Sequence, residues 1–313
     1  MAQHTTRRSR PRLGWESSRL CAILGAMPSR IPGYKLLDSG DGRKLEQFGD
    51  IIIDRPSSLS AWRRRQPSTL WDKASARYQP PERWEHTGKP FSTWTASIAG
   101  VPMTLELMSN GQVGLFPEHA LYLSSVAAAA ETLRQKKGRT LRILNLFAYT
   151  GLATAFCSTL GDVQITHVDL AKRAIEWAKK NASATHASHE AIRWIVDDAL
   201  GFMAREQRKE SSYDIIIIDP PSFSRVSKNN TWTLDEKAPD IVRLVLGVLD
   251  PTSGIVFFTN HSSASTSEVA RNIALDTFSD HEVSIAIESL ALEEEHSPRR
   301  LPAGSLIVLS HGM

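Results

Sequence analysis

The stretch Tyr213-Asp-Ile-Ile-Ile-Ile-Asp-Pro-Pro-Ser-Phe223 decides the fold. Four consecutive isoleucines, Ile215 to Ile218, read as a strand buried on both faces, the pattern of a parallel sheet inside an α/β domain. Proline cannot continue a hydrogen-bonded ladder, so the chain must leave the sheet at Asp219. A carboxylate and a stiff turn then stand at the carboxyl edge of a central strand, where open α/β sheets bind ligands. Taken alone, Asp219 fits a turn cap equally well.

Upstream and downstream, strands and helices alternate. Strands are expected over Leu141 to Phe147, Val163 to Asp169, Ile192 to Val196 and Gly254 to Thr259. Helices are expected over Leu152 to Leu160, Ala171 to Asn181, Asp198 to Arg208 and Ser267 to Phe278, with another that places Ile241, Leu244, Val245 and Val248 on one face. His281 to Ile287 and Ser305 to Ser310 read as a last, antiparallel pair, because their link is short and polar. The expectation is an α/β doubly wound, mostly parallel sheet with an antiparallel strand at its end.

Each strand exit carries polar groups suited to a nucleoside. The first is Asn145-Leu-Phe-Ala-Tyr149-Thr150-Gly151, with Gly151 opening a helix. It lacks the several glycines of a dinucleotide fingerprint, which argues against NAD. The second exit ends at Asp169, whose carboxylate can accept both ribose hydroxyls. The third, Asp197-Asp198-Ala199, offers an acceptor for an adenine amine beside a small residue. Helix capping is the plainer use of Asp169 and Asp198, and it is compatible with a site.

These four motifs, in this order and spacing, resemble the class I S-adenosylmethionine-dependent methyltransferases, with their Rossmann-like sheet. They are most similar to bacterial enzymes that methylate large-subunit (23S) ribosomal RNA on cytosine C5 or guanine N7. The resemblance covers about Gly111 to the C-terminus. The segment Leu37 to Gly49 also looks like the opening of an uncharacterised bacterial branch of that group. The resemblance implies that Asn145, Tyr149, Thr150 and Gly151 hold the methionine part of S-adenosylmethionine. It implies Asp169 for the ribose, Asp198 for the adenine, and Asp219 with Pro220 at the transferred methyl. Gly114-Leu-Phe-Pro-Glu-His119 resembles a cofactor-facing lead-in, although Ala120 stands where the family often has Arg. His119 on its own also fits a surface residue at a helix start.

The nucleophile bears on which atom is methylated. Cytosine C5 needs a Cys thiolate added to the ring. The chain has Cys21 in its basic start and Cys157 in a helix, and Asn260 stands where the cytosine enzymes place their Cys. The expected target is therefore a ring or exocyclic nitrogen, with Asn260 orienting the base or simply occupying a turn. Phe223, Arg225 and Lys228, in a polar loop from Ser222 to Trp232, suit a flipped base, and a solvated crossover loop fits them equally.

At 313 residues, with 41% hydrophobic and 23% charged residues, the chain has the composition of a globular protein with room for two domains. No apolar run approaches membrane length. Two distant cysteines suit a reducing, cytoplasmic setting. The ten histidines are scattered, and His186 and His189 have no acid at ligand spacing, so no metal is expected. Residues 1–113 carry a net charge of +7 and the remainder −4, which suggests that the front half meets a polyanion. Residues 1–33, with six arginines and one acid, read as a disordered basic tail, and the same composition fits an organelle transit peptide. Residues 34–113 read as a small β-rich basic domain, with a strand over Phe48 to Asp54 and a hairpin of Thr93 to Ala99 with Val101 to Met108. Tryptophans and arginines interleave there. Most of the tryptophans fit the domain's own core, and Arg63, Arg64 and Arg65 are the candidate RNA contacts. Residues 114–313 then form the cofactor-binding domain. The combined expectation is an RNA methyltransferase. An enzyme acting on protein or small molecules, or a non-catalytic ribosome-binding factor, are the alternatives.

Overall fold

The computed structural model describes residues 18–25, 27–81, 83–185, 191–227, 230–261, 272 and 283–312. It opens with a helix, α1 (Ser18–Leu24), inside the segment expected to be disordered. Leu20, Ile23 and Leu24 recur at helical spacing and are buried in the main apolar core, and the Ser125 hydroxyl donates to the Leu24 carbonyl at 3.0 Å. The arginine-rich composition had concealed that stripe.

A five-stranded sheet follows, in the order β1 (Tyr34–Gly40), β2 (Arg43–Phe48), β3 (Ile51–Pro56), β4 (Ala76–Gln79), β5 (Arg83–His86). The single strand expected from Phe48 to Asp54 is instead two antiparallel strands, with Phe48 paired to Ile51 around a Gly49-Asp50 turn. The hairpin is present as β6 (Thr93–Ile98) and β7 (Val101–Glu106). Helix α3 (Leu123–Lys137), which comes after the short α2 (Ser68–Trp71), leads into the large sheet.

That sheet has seven strands: β8 (Leu141–Leu146), β9 (Val163–Asp169), β10 (Ile192–Val196), β11 (Ile215–Ile218), β14 (Gly254–Asn260), β15 (Ser284–Glu293) and β16 (Arg300–His311). Their order is β10-β9-β8-β11-β14-β16-β15. The four isoleucines of β11 are buried between β8 and β14 and parallel to both. The chain winds outward from β8 through β9 and β10, then returns to β8's other side at β11, so the topological switch lies between β8 and β11. The antiparallel strand is β16, one place in from the edge, because β15 folds back along its outer side. Helices α4 (Leu152–Cys157), α5 (Lys172–Ser183), α6 (Ala199–Arg208) and α7 (Leu234–Val248) cover the sheet. The polar loop after Pro221 is a two-stranded ribbon, β12 (Phe223–Ser227) with β13 (Asn230–Thr233). The helix expected over Ser267 to Phe278, together with His186, His189 and Lys228, falls outside the described residues, apart from Asn272.

The small sheet and the large one share one apolar core, which runs from Leu36, Phe48 and Ile53 to Phe257, Leu306 and Val308. Polar groups also join them. Asp38, fully buried on β1, accepts from the Trp71 indole, from the Arg65 and Gln66 backbone N–H groups, and from Arg299 at 2.7 Å. Arg299 also reaches Glu294 at 2.9 Å, and Glu294 accepts from Ser39. No described helix is long and apolar enough to cross a membrane.

Candidate methyl-transfer site

A cleft of about 1090 Å³ opens at the carboxyl ends of the central strands, between the two sheets. Pockets for a single small ligand run to roughly 1,000 Å³, so there is room here for more than one molecule. Its walls include Phe147, Tyr149, Asp169, Asp198, Asp219, Pro220 and His261 from the large sheet, Glu118 from the turn before α3, and Lys44 and Arg55 from the small sheet.

The exit of β8 is a tight turn. Phe147, Tyr149 and Gly151 all have positive φ (53°, 48° and 83°), a conformation that side chains other than Gly adopt rarely and that collects at functional sites. The turn is held from outside. Asp169 Oδ2 accepts from the Tyr149 N–H and its Oδ1 from the Ala171 N–H, both at 2.8 Å. Thr150 donates to the Gly114 carbonyl at 2.5 Å, and Asn181 to the Thr150 carbonyl at 2.9 Å. Asn145 is buried and bonded through Thr154 to His167, so it pins β8 to α4 and β9. Asp169 lines the cleft with further accepting capacity on each oxygen, and burial pushes its carboxyl up from the ordinary range. Asp198 does cap α6, accepting from the Gly201 N–H at 2.7 Å, and it lines the cleft as well.

At the exit of β11, Asp219 stands level with Phe147 and Thr259, because Ile218 pairs with Leu146 and Phe258. Three donors converge on it. Thr259 donates its hydroxyl to Oδ1, His261 Nε2 lies 2.9 Å from Oδ1, and His119 Nε2 lies 3.0 Å from Oδ2. The His119 contact has ion-pair distance without hydrogen-bond angle, so it is the weakest of the three. His261 Nδ1 is 2.9 Å from the Ala303 carbonyl. Gly304 permits that approach: at φ 108° a Cβ there would sit 2.9 Å from His261 Nδ1 and 2.5 Å from the Asn260 carbonyl. Both nitrogens of His261 therefore face acceptors, so both carry protons. Burial disfavours the imidazolium, but the hydrogen bond and charge of Asp219, the Glu118 charge and the Ala303 carbonyl together outweigh it and raise the His261 pKa to about 9. Burial also opposes the Asp219 charge, yet the two imidazoles hold its carboxyl well below the carboxylate range.

His119, Asp219 and His261, far apart in the chain, thus form one cluster that sequence spacing did not reveal, and they have the donors of a metal site. Asn260 is buried, and its neighbour His261 lines the cleft in its place: alternate strand residues face opposite ways, and Thr259 and His261 share the Asp219 side. Arg63, Arg64 and Arg65 lie outside the cleft lining. Arg64 stacks 3.8 Å over the Trp71 ring, the Arg63 carbonyl accepts from Arg299, and the Arg63 and Arg65 residues are exposed. Phe223 and Arg225 lie on the β12–β13 ribbon by their backbone, with side chains outside the described set. The cations that do line the cleft are Lys44 and Arg55, both paired with the buried Glu46, and sequence reasoning missed them because strand polarity alone does not say which face meets a partner domain.

Comparison with known proteins agrees with this geometry. A family model described as S-adenosylmethionine-dependent methyltransferase matches residues 52–288. The ribosomal RNA large subunit methyltransferase K/L of Shewanella sp. (strain MR-4) is 24% identical over 253 residues, covering 78% of this chain and 32% of its own length. The ribosomal RNA large subunit methyltransferase K of Neisseria meningitidis serogroup B is 26% identical over 238 residues, covering 71% and 64%. This chain therefore spans about a third of the K/L protein. The crystal structure of the S-adenosylmethionine-dependent methyltransferase from Agrobacterium tumefaciens superposes with a TM-score of 0.80 at 31% identity, covering 91% of this chain and 92% of that one. With the switch-point cleft and its ordered carboxylates already in place, the match over most of the chain settles its membership: it belongs to the S-adenosylmethionine-dependent methyltransferases.

Proposed function

We propose that this enzyme methylates guanine N7 in large-subunit ribosomal RNA. The observation that carries the choice of atom is the engagement of Asp219: Thr259 and His261 bond its Oδ1, His119 stands 3.0 Å from its Oδ2, and the two imidazoles hold its carboxyl well below the carboxylate range. A carboxylate so engaged is a poor acceptor for the proton an exocyclic amine must lose. A ring nitrogen has a free lone pair and no proton to lose, so it needs orientation above all. Cytosine C5 is disfavoured because Cys157 is fully buried and burial pushes its thiol up to about 12.

S-adenosylmethionine supplies a methyl group on a sulfonium: the N7 lone pair forms the new C–N bond while the C–S bond breaks with its electrons passing to sulfur. In the proposed arrangement Asp169 takes the ribose hydroxyls, Asp198 and Ala199 take the adenine, and the turn from Phe147 to Gly151, with Asn145 behind it, takes the methionine part. Asp219, fixed by its three donors, holds the Pro220 turn beside the methyl. Lys44 and Arg55 line the cleft, with Glu46 sharing their charge, and turn their remaining N–H groups to the RNA backbone. The names of the Shewanella and Neisseria relatives support RNA as the substrate, and a ribosomal substrate suits a reducing cytoplasm. The test is transfer of labelled methyl to unmodified 23S ribosomal RNA, followed by nucleoside mapping. Label in 7-methylguanosine is expected, and label confined to protein would overturn the proposal.

A further inference from the structure

Glu118 is an acceptor with its partners still to be supplied. It sits in the turn Pro117–Tyr122, one residue before the histidine that reaches Asp219. It is 9% exposed, and it lines the cleft. Among the described residues its carboxylate makes no hydrogen bond and no ion pair. The nearby cations have other partners: Arg55 Nε lies 2.5 Å from Glu46, Lys44 lies 3.1 Å from the same carboxylate, and His261 is bound to Asp219. Lys44, Arg55 and His261 feel its charge without bonding to it, so its oxygens keep accepting sites that a ligand bringing N–H groups can fill.

A carboxylate accepts two parallel N–H bonds at once. Of the four RNA bases, guanine alone offers two adjacent donors on one edge, N1–H and the N2 amine. Adenine and cytosine place a single amine beside a ring acceptor, and uracil places one N–H between two carbonyls. We propose that Glu118 selects guanine by gripping its Watson–Crick edge, which leaves N7 on the opposite side of the ring for the Asp219–Pro220 turn. This rests on the RNA reading above. The contact also aids transfer. As N7 bonds to the methyl, positive charge spreads over the purine and N1–H becomes a stronger donor, so the bond to Glu118 tightens in the transition state. No proton leaves the base in that step.

Calorimetric titrations of the full chain saturated with S-adenosylhomocysteine test this, using guanosine, inosine and 1-methylguanosine 5′-monophosphates as probes. Inosine lacks the N2 amine, and the 1-methyl group blocks N1. Guanosine monophosphate is expected to bind about 5- to 100-fold more tightly than either. Glu118→Gln and Glu118→Ala are expected to erase that preference while leaving S-adenosylhomocysteine affinity within about twofold. Equal binding of the three probes, no binding of any at millimolar concentration, or a preference that survives both substitutions would overturn the proposal. So would a tenfold loss of S-adenosylhomocysteine affinity, which would assign Glu118 to the cofactor's ammonium group. A guanine preference without label in ribosomal RNA would keep Glu118's role and reject the RNA reading; label in RNA guanosine without the preference would do the reverse.

Discussion

His261 holds Asp219 through Nε2 at 2.9 Å while its Nδ1 points at the Ala303 carbonyl at the same distance, so the ring is an imidazolium bridging β14 to β16. Its pKa is raised from near 6.5 to about 9, so its contribution is complete below about pH 6.5 and lost as the pH climbs through 9. Methyl transfer and thermal stability are both expected to fall through that upper window, and His261→Asn is expected to flatten the limb. The check is a pH profile of kcat and of Tm for both proteins. Identical limbs would reject the bridge.

Asp219→Asn removes the charge that gathers Thr259, His261 and His119. Misplacement of the Pro220 turn by about 1 Å is enough to lower kcat roughly 100-fold. Cofactor affinity is expected to change less than about threefold. Single-turnover rates with parallel cofactor titrations measure the two separately, and an equal loss in both would remove Asp219 from the transfer step.

Asp169→Ala is expected to do the opposite, weakening S-adenosylmethionine by at least about tenfold. It also frees the Tyr149 N–H that the carboxylate accepts at 2.8 Å, so the turn after β8 should loosen. Faster amide exchange at residues 147–151 would report the second effect and separate it from lost ribose contacts.

Asp38→Ala strips four donors of their acceptor, Arg299 among them, in a fully buried position. Breaking a buried pair on one side costs about 3–5 kcal/mol, so a large loss in urea midpoint is expected. Leu20→Ala, at 1% exposure, should cost about 2–4 kcal/mol if the helix Ser18–Leu24 belongs to the fold, and nothing if that segment is only a tail.

Where local chemistry was unambiguous, the fold was legible. The isoleucine run followed by two prolines could be only a buried strand ending at Asp219, and β9 and β10 fell at their expected limits. Local patterns failed where long-range contacts decide. Phe48 to Asp54 looked like one strand because apolar residues flank the Gly49-Asp50 turn on both sides. Ser18–Leu24 looked disordered because the six arginines of residues 1–33 mask its three core residues. Asn260 drew attention ahead of His261 because one residue of strand parity, fixed only by the sheet, decides which side chain meets Asp219. Asp38 and Arg299 lie at opposite ends of the chain, and no spacing rule links them.

The most direct measurement is transfer of labelled methyl from S-adenosylmethionine to unmodified 23S ribosomal RNA, with genomic DNA and total protein as parallel acceptors. Label that ribonuclease removes and that maps to 7-methylguanosine is the predicted result. Label confined to DNA or protein, or RNA label in 5-methylcytidine, would contradict the account.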